Sequence, residues 1–283
     1  MMKDFLFLSV ILFSLISCKN VELQKVSSPD GETEITFQLK KGMLFYSLKR
    51  SGEVILNPSR LGFKLANNDS LYANFEIIGI KIDKHDETWQ QPWGEEVSVR
   101  NHYNELSVNL KEMKGKLRLL NVIFRVFNDG VGFRYGFPEQ KNLKNFEIIE
   151  ELTEFALSKN DSVWSIPAYK GLYYEMLWKK MPASQLDTVT TPITIETAEG
   201  KYILLHEANL TDYAKMNLYP VSGATLKADL TPWSTGVKVY AKTPFVTPWR
   251  TIALSDDLNQ LVNNRIMLNL NEPCKIENTK NHV

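Results

Sequence analysis

The stretch from Leu117 to Phe137 constrains the fold most. Leu119, Asn121, Ile123, Arg125 and Phe127 alternate with Leu120, Val122, Phe124 and Val126, so one face is wholly apolar and the other mixed. Neighbouring side chains on a strand point to opposite faces, and this period of two marks a half-buried strand. Asn128-Asp129-Gly130 supplies a tight turn, and Val131, Phe133, Tyr135 and Phe137 return along a second strand. A hairpin with one apolar face must bury it against another layer.

The rest of the chain repeats the pattern in shorter pieces. Ile35, Phe37 and Leu39 share a face, Lys41-Gly42 turns the chain, and Leu44, Tyr46 and Leu48 follow. Ser51-Gly52 turns it again, and Val54 to Leu56, Leu61 to Leu65 and Phe75 to Ile82 continue the series. Val97 and Val99, then Leu106, Val108 and Leu110, predict strands on either side of the polar cluster Arg100 to Leu106. More short strands are expected over Phe146 to Leu157, Ile193 to Thr197, Lys201 to His206, Met216 to Tyr219, Ala224 to Leu230, Val237 to Tyr240 and Ile266 to Leu270. Lys179-Lys180 and the polar residues 184–191 read as loop. Ser255-Asp256-Asp257 caps one short helix carrying Leu258, Leu261 and Val262. Many strands, one clear helix and no βαβ alternation predict an all-β sandwich with long loops.

The 283 residues carry no net formal charge, so the basic stripe that nucleic acid requires is absent. No dinucleotide fingerprint or phosphate loop appears. The N-terminus reads as targeting. Met1-Met2-Lys3 precedes an apolar run from Phe5 to Ile16, shorter than the roughly 20 residues that span a bilayer, as in a signal-peptide core. Leu15-Ile16-Ser17-Cys18 resembles the bacterial lipobox, in which the cysteine is acylated and the peptide cut before it; an ordinary signal peptide with an incidental cysteine is the other reading. The only other cysteine is Cys274, so no disulfide framework is implied. No Asp follows Cys18, which points to a lipid-anchored protein of the periplasm or outer membrane of a Gram-negative bacterium. The expected organisation is signal peptide 1–17, tether 18–31, β domain 32–273 and polar tail 274–283.

Two kinds of segment bear on function. His206 and Glu207 stand side by side at the end of the strand Tyr202 to Ala208, so at most one faces the core. A carboxylate at a strand end suits a hard cation such as Ca²⁺, while the local sequence alone favours an ordinary solvated Glu beside a packed His. The segment Glu87 to Glu95 places Trp89 and Trp93 around Gln-Gln-Pro, and Trp164 to Trp178 is a second aromatic cluster that includes Glu175. Such rings pack on sugar faces while nearby amides and carboxylates bond hydroxyls, or else they plug a core.

Six ordered motifs then converge. They are Glu87-Thr88-Trp89 with Trp93-Gly94-Glu95; Arg100-Asn101-His102-Tyr103-Asn104-Glu105-Leu106; Phe127 to Tyr135; His206-Glu207-Ala208; Thr247 to Ile252; and Leu268 to Pro273. Together they resemble the N-terminal domain of glycoside hydrolase family 97, over nearly the whole chain from about residue 20 to Pro273. The resemblance implies a large β-super-sandwich that packs on a catalytic (β/α)₈ barrel, with action on α-linked glucosides or galactosides and a requirement for Ca²⁺. It implies that Glu207 is the one calcium ligand from this domain, and that the catalytic carboxylates lie on the barrel. It also makes Trp89, Trp93, Glu95, Asn101, His102, Tyr103, Asn104, Glu105, Trp164, Glu175 and His206 candidates for sugar contact or for the barrel interface.

The segment from Cys274 to Val283 is short and polar, and a barrel is not found in this sequence. No catalytic residue is therefore expected here, and one Glu is too few for a cation that takes six to eight oxygens. The expected partners are an α-linked oligosaccharide, a separately encoded barrel, and a membrane reached through the lipid on Cys18. A free-standing carbohydrate-binding lipoprotein is the second expectation, and a structural protein without sugar contact the third.

Overall fold

The computed structural model describes residues 21–170 and 175–276. The expected signal peptide, the expected lipidation site Cys18, part of the second aromatic cluster (171–174) and the end of the tail lie outside the described residues. Strands β1 (Glu22–Ser27), β2 (Thr33–Lys40), β3 (Met43–Arg50) and β4 (Glu53–Arg60) form an antiparallel four-stranded sheet. The short β5 (Phe63–Leu65) and β6 (Asp69–Leu71) precede two long strands, β7 (Phe75–Gln90) and β8 (Ser98–Glu112). Next come β9 (Leu119–Phe127), β10 (Gly130–Phe137), β11 (Asn145–Glu151), β12 (Glu154–Ala156), β13 (Ser162–Pro167) and β14 (Lys179–Pro182). The chain continues through β15 (Val189–Glu196), β16 (Tyr202–Ala208), β17 (Met216–Ser222), β18 (Thr225–Leu230), β19 (Val239–Lys242), β20 (Phe245–Val246) and β21 (Trp249–Ser255). Helices α1 (Leu258–Val262) and α2 (Ile266–Leu270) close it.

A 13-stranded sheet is the main body, with the path β12-β18-β17-β15-β16-β21-β10-β9-β8-β7. The β1–β4 sheet and a second small one, β19-β11-β5-β6, cover its inner face. Ile35, Phe37, Leu44 and Tyr46 from the first meet Leu106, Val108, Val122 and Phe124 from the large sheet in one core. The Tyr46 and Phe133 rings lie 4.7 Å apart, and Phe63 meets Tyr135 edge-on at 4.6 Å. Each such ring, fully buried, contributes roughly 1.5–3 kcal/mol of transfer free energy. The β9–β10 hairpin stands in the middle of this sheet, in the register Phe127↔Gly130 to Asn121↔Gly136, as its alternation predicts.

The structure differs from the sequence reading in several segments, among them the expected loop 184–191, whose last residues open β15 (Val189–Glu196). Glu22–Ser27, expected as tether, pairs with β2 as β1. Glu87–Gln90 and the polar run Arg100 to Leu106, expected as loops, are the far ends of β7 and β8, paired from Asp83↔Glu105 to Gln90↔Ser98. Polar side chains are tolerated there because they bond one another across the ladder, as in the bidentate Arg100–Asp86 pair at 2.9 and 2.8 Å. Trp164 lies within strand β13, and Lys179-Lys180 is its partner β14, held by Lys180–Glu196 at 2.8 Å. Ile266–Leu270, expected as a last strand, is helix α2: Ile266, Asn269 and Leu270 are its buried residues, the i, i+3, i+4 spacing of a helical stripe. Five apolar residues do not distinguish the two by periodicity.

Helix α2 lies on the outer face of the large sheet. Ile266 and Leu270 join Tyr103, Phe127, Ala208, Trp249 and Ala253 in a second, smaller core. The helix sits over Gly132, where a Cβ would overlap the methyl groups of Leu270. Asn269 clips it to the β7–β8 hairpin, accepting from Trp89 Nε1 at 2.9 Å and donating to the Arg100 carbonyl at 2.9 Å. Helix α1 is capped as expected, with the Asp257 carboxylate accepting from Gln260 N at 3.0 Å. Among the described residues no helix is long and apolar enough to cross a membrane.

Candidate functional site

Strand β16 lies between β15 and β21, and its inward positions are Ile203, Leu205 and Glu207. Of the His206-Glu207 pair it is therefore the carboxylate that faces the core. Glu207 stands opposite Arg250 on β21. Arg250 Nη1 donates to Glu207 Oε2 at 2.7 Å, while Nε and Nη2 donate to Glu151 at 2.9 and 2.6 Å. The Met216 backbone N–H reaches Glu207 Oε1 at 3.1 Å. Tyr213 and Thr153 hydroxyls each donate to Glu151 at 2.8 Å, and Tyr135 bonds Thr153 at 2.6 Å. The side chains of Arg250 and Glu151 are 0% exposed and that of Glu207 is 3% exposed.

The two carboxylates differ in what compensates their burial. Burial pushes Glu151 up, but the Arg250 charge and the bonds from Arg250, Tyr213 and Thr153 outweigh it and hold it below the ordinary range. Burial also pushes Glu207 up, and here it prevails over Arg250 and the Met216 N–H, so Glu207 titrates above the ordinary 4.5. Glu151 takes two of the guanidinium's bonds and Glu207 only one.

These residues do not form a calcium site by themselves. Ca²⁺ takes six to eight oxygens, and Glu207 offers one carboxylate already in contact with a cation, Arg250. His206 points to the other face of the sheet, half-buried, with no hydrogen-bond partner at Nδ1. Burial, then the charge of Lys215, lowers its pKa below the ordinary 6.5. Among the described residues no group of three or more His, Cys, Asp or Glu is placed to hold a metal ion. Glu151 and Glu207 are also no hydrolytic pair, because both are locked on Arg250 out of reach of a substrate.

The other candidates fall into two separate groups. At the β7–β8 hairpin, Trp89 is half-buried on Asn269, while Trp93 and Glu95 are exposed at the tip. Buried Asn101 reaches Glu87 at 3.5 Å, and His102 lies 3.9 Å from Asp86. Asn104 is committed to the backbone, donating to the Ser27 carbonyl at 2.8 Å. Tyr103 stacks on His85 at 4.8 Å and on the Arg125 guanidinium at 4.6 Å, and Glu105 accepts from Arg125 at 2.9 Å. The Arg125 and Arg134 guanidiniums each lie over the buried Trp249 ring, at 4.8 and 4.3 Å. Trp164 belongs to the second group, half exposed on β13, with its Nε1 on Glu196 at 2.9 Å; Glu175 is exposed. Strands β15, β16, β21, β10, β9 and β8 stand between β13 and β7 in the strand order, so Trp164 and the Trp89–Trp93 group lie on different parts of the sheet.

Sequence reasoning missed the buried pair Glu151 and Arg250. The available signal was Arg250 itself, a guanidinium inside the run Trp249 to Ser255, every residue of which is buried. A buried cation requires a buried partner.

The fold defines a β-super-sandwich domain whose polar centre is internal. The family model for the glycosyl-hydrolase 97 N-terminal domain matches residues 26–273, and the chain belongs to that family. A glycoside hydrolase family 97 enzyme from Pseudoalteromonas sp. strain K8, solved in complex with panose and with acarbose, is 38% identical with a TM-score of 0.86. That likeness covers 89% of this chain and 38% of that one. A β-arabinopyranosidase structure is 26% identical with a TM-score of 0.75, over 83% of this chain and 40% of the other. The retaining α-galactosidase of Bacteroides thetaiotaomicron is 25% identical over 237 residues, which is 79% of this chain and 34% of that protein. The chain thus spans about a third of the length of this relative.

Proposed function

We propose that this chain serves as the N-terminal, carbohydrate-contacting domain of an α-glycosidase that hydrolyses α-linked glucosides or galactosides. The observation that carries this reading is the likeness to the Pseudoalteromonas enzyme that binds panose and acarbose. The acid and base of the reaction are proposed to come from outside the described residues, because the carboxylates at this domain's polar centre are held by Arg250. Calcium is proposed only where further oxygens are brought to Glu207 from outside this domain. Acylation of Cys18 and tethering to the outer membrane remain proposals from the lipobox, to be checked by the mass of the mature N-terminus.

The test is a pair of measurements on the purified chain. Titration with panose is expected to give saturable binding. Release of para-nitrophenol from the α-glucoside and the α-galactoside is expected to be absent, with or without Ca²⁺. Turnover that disappears in Glu207→Gln would overturn the assignment of catalysis to residues outside this domain. Absence of any panose binding would remove the sugar contact.

A further inference from the structure

Among the described residues, strand β7 ends the large sheet and pairs only with β8. Residues 76–90 make no other backbone hydrogen bond among the described residues, so a long edge of N–H and C=O groups is open. An open edge of this kind is a template for another strand. Its inner face is apolar: Ile80 and Ile82 stand opposite Val108 and Leu106, which are fully buried in the core. The isoleucines extend that core layer past the point where the overlying sheet covers it. Ile78, Ile80 and Ile82 remain 56%, 37% and 56% exposed.

The charges on the other face select a partner. Asp83 lies opposite Glu105, a like charge whose own partner is Arg125. Lys81 and Asp83 bond each other along the strand at 2.5 Å and are 70% and 45% exposed. We infer that β7 pairs antiparallel with the β7 of a second copy of this chain, about a two-fold axis through Ile82. In that register Lys81 stands opposite the partner's Asp83, and Asp83 opposite the partner's Lys81. Ile82 meets the partner's Ile82, and the methylene stem of Lys84 lies over the partner's Ile80. A two-fold axis normal to the sheet keeps each face continuous, so only residue-centred registers are allowed. Moving the axis to Lys81 sets two lysines opposite each other, and moving it to Asp83 sets two aspartates. Directly opposed like charges destabilise a ladder. An axis through Ile80 leaves both central charges unmatched, because Lys81 then faces Gly79 and Asp83 faces Ile77. The self-complementary Lys-x-Asp centred on an isoleucine is what specifies the second copy.

Sedimentation velocity of the purified chain tests this over a range of about 1 to 200 µM, where a small, transient interface is resolved. A concentration-dependent dimer is expected. Lys81→Asp and Asp83→Lys are each expected to weaken it about tenfold, and the double swap to restore it to within about threefold. Both side chains are exposed, and each variant is compared at a matched thermal midpoint. In a Cys18→Ser, Cys274→Ser background, Ile82→Cys is expected to cross-link the dimer on oxidation, because opposed Cα atoms in an antiparallel pair suit a disulfide. A chain that is monomeric at every concentration overturns the proposal. So does a dimer indifferent to the single reversals, or one that the double swap fails to restore.

Discussion

At the scale of single residues, Arg250 matters most. One guanidinium holds two carboxylates that come from strands distant in sequence, Glu151 on β11 and Glu207 on β16. Breaking a buried pair costs more than the pair contributes, because the surviving charge is left in a dry site. Arg250→Met is expected to lower the unfolding free energy by about 3–5 kcal/mol, read from urea titration. Glu207 also sets a pH signature. Its folded pKa is above the ordinary 4.5, so in the window between those values the folded chain holds more protons than the unfolded one. Stability from this group therefore declines as pH rises through that window. In urea titrations across it, the stability of the parent chain relative to Glu207→Gln is expected to decline as pH rises. Glu151 acts in the other direction: its folded pKa is depressed, so its contribution is present above 4.5 and is lost only as pH falls through the lower folded value.

At the scale of elements, the β7–β8 hairpin and helix α2 form one unit on the outer face. Gly132 provides the recess in which Leu270 sits, and Asn269 joins the helix to Trp89 and to the backbone of Arg100. Gly132→Ala adds one methyl group into Leu270. It is expected to cost about 1–3 kcal/mol by overpacking. Faster amide exchange over residues 266–271, with the core strands unchanged, would identify α2 as the element displaced. The hairpin β9–β10 was legible from sequence because its pattern is local: alternation and the Asn-Asp turn are both read within 21 residues, Leu117 to Phe137. The ends of β7 and β8 were not, because their polar side chains are stabilised by partners across the ladder and on other elements, such as Asp86 for Arg100 and the Ser27 carbonyl for Asn104.

At the scale of the whole molecule, a sheet this wide has two ends, and they carry different chemistry. In the strand order Trp164 lies toward one end and Trp89 and Trp93 at the other. The polar centre at Arg250 lies between them and is closed to solvent. Among the described residues the domain carries buried ionic clusters at Arg250 and at Arg118 and an open β7 edge. The dimer inferred from that edge and the glycosidase reading fail independently, since sedimentation and panose titration read different surfaces.

The sequence by itself determined what depends on near neighbours. It determined the all-β class, the β9–β10 hairpin and the Asp257 cap, together with motifs specific enough to place the chain in its family. It also determined that only one of His206 and Glu207 faces inward, because the period of a strand is two. Only the tertiary structure decided which one. That depends on which face of the large sheet the two smaller sheets cover, and on Arg250 arriving from β21 to meet the carboxylate. The helical form of Ile266–Leu270 was decided in the same way, by the recess at Gly132 that a helix fills with Leu270. In both cases the deciding partner is far away in the chain, and a local pattern carries no information about it.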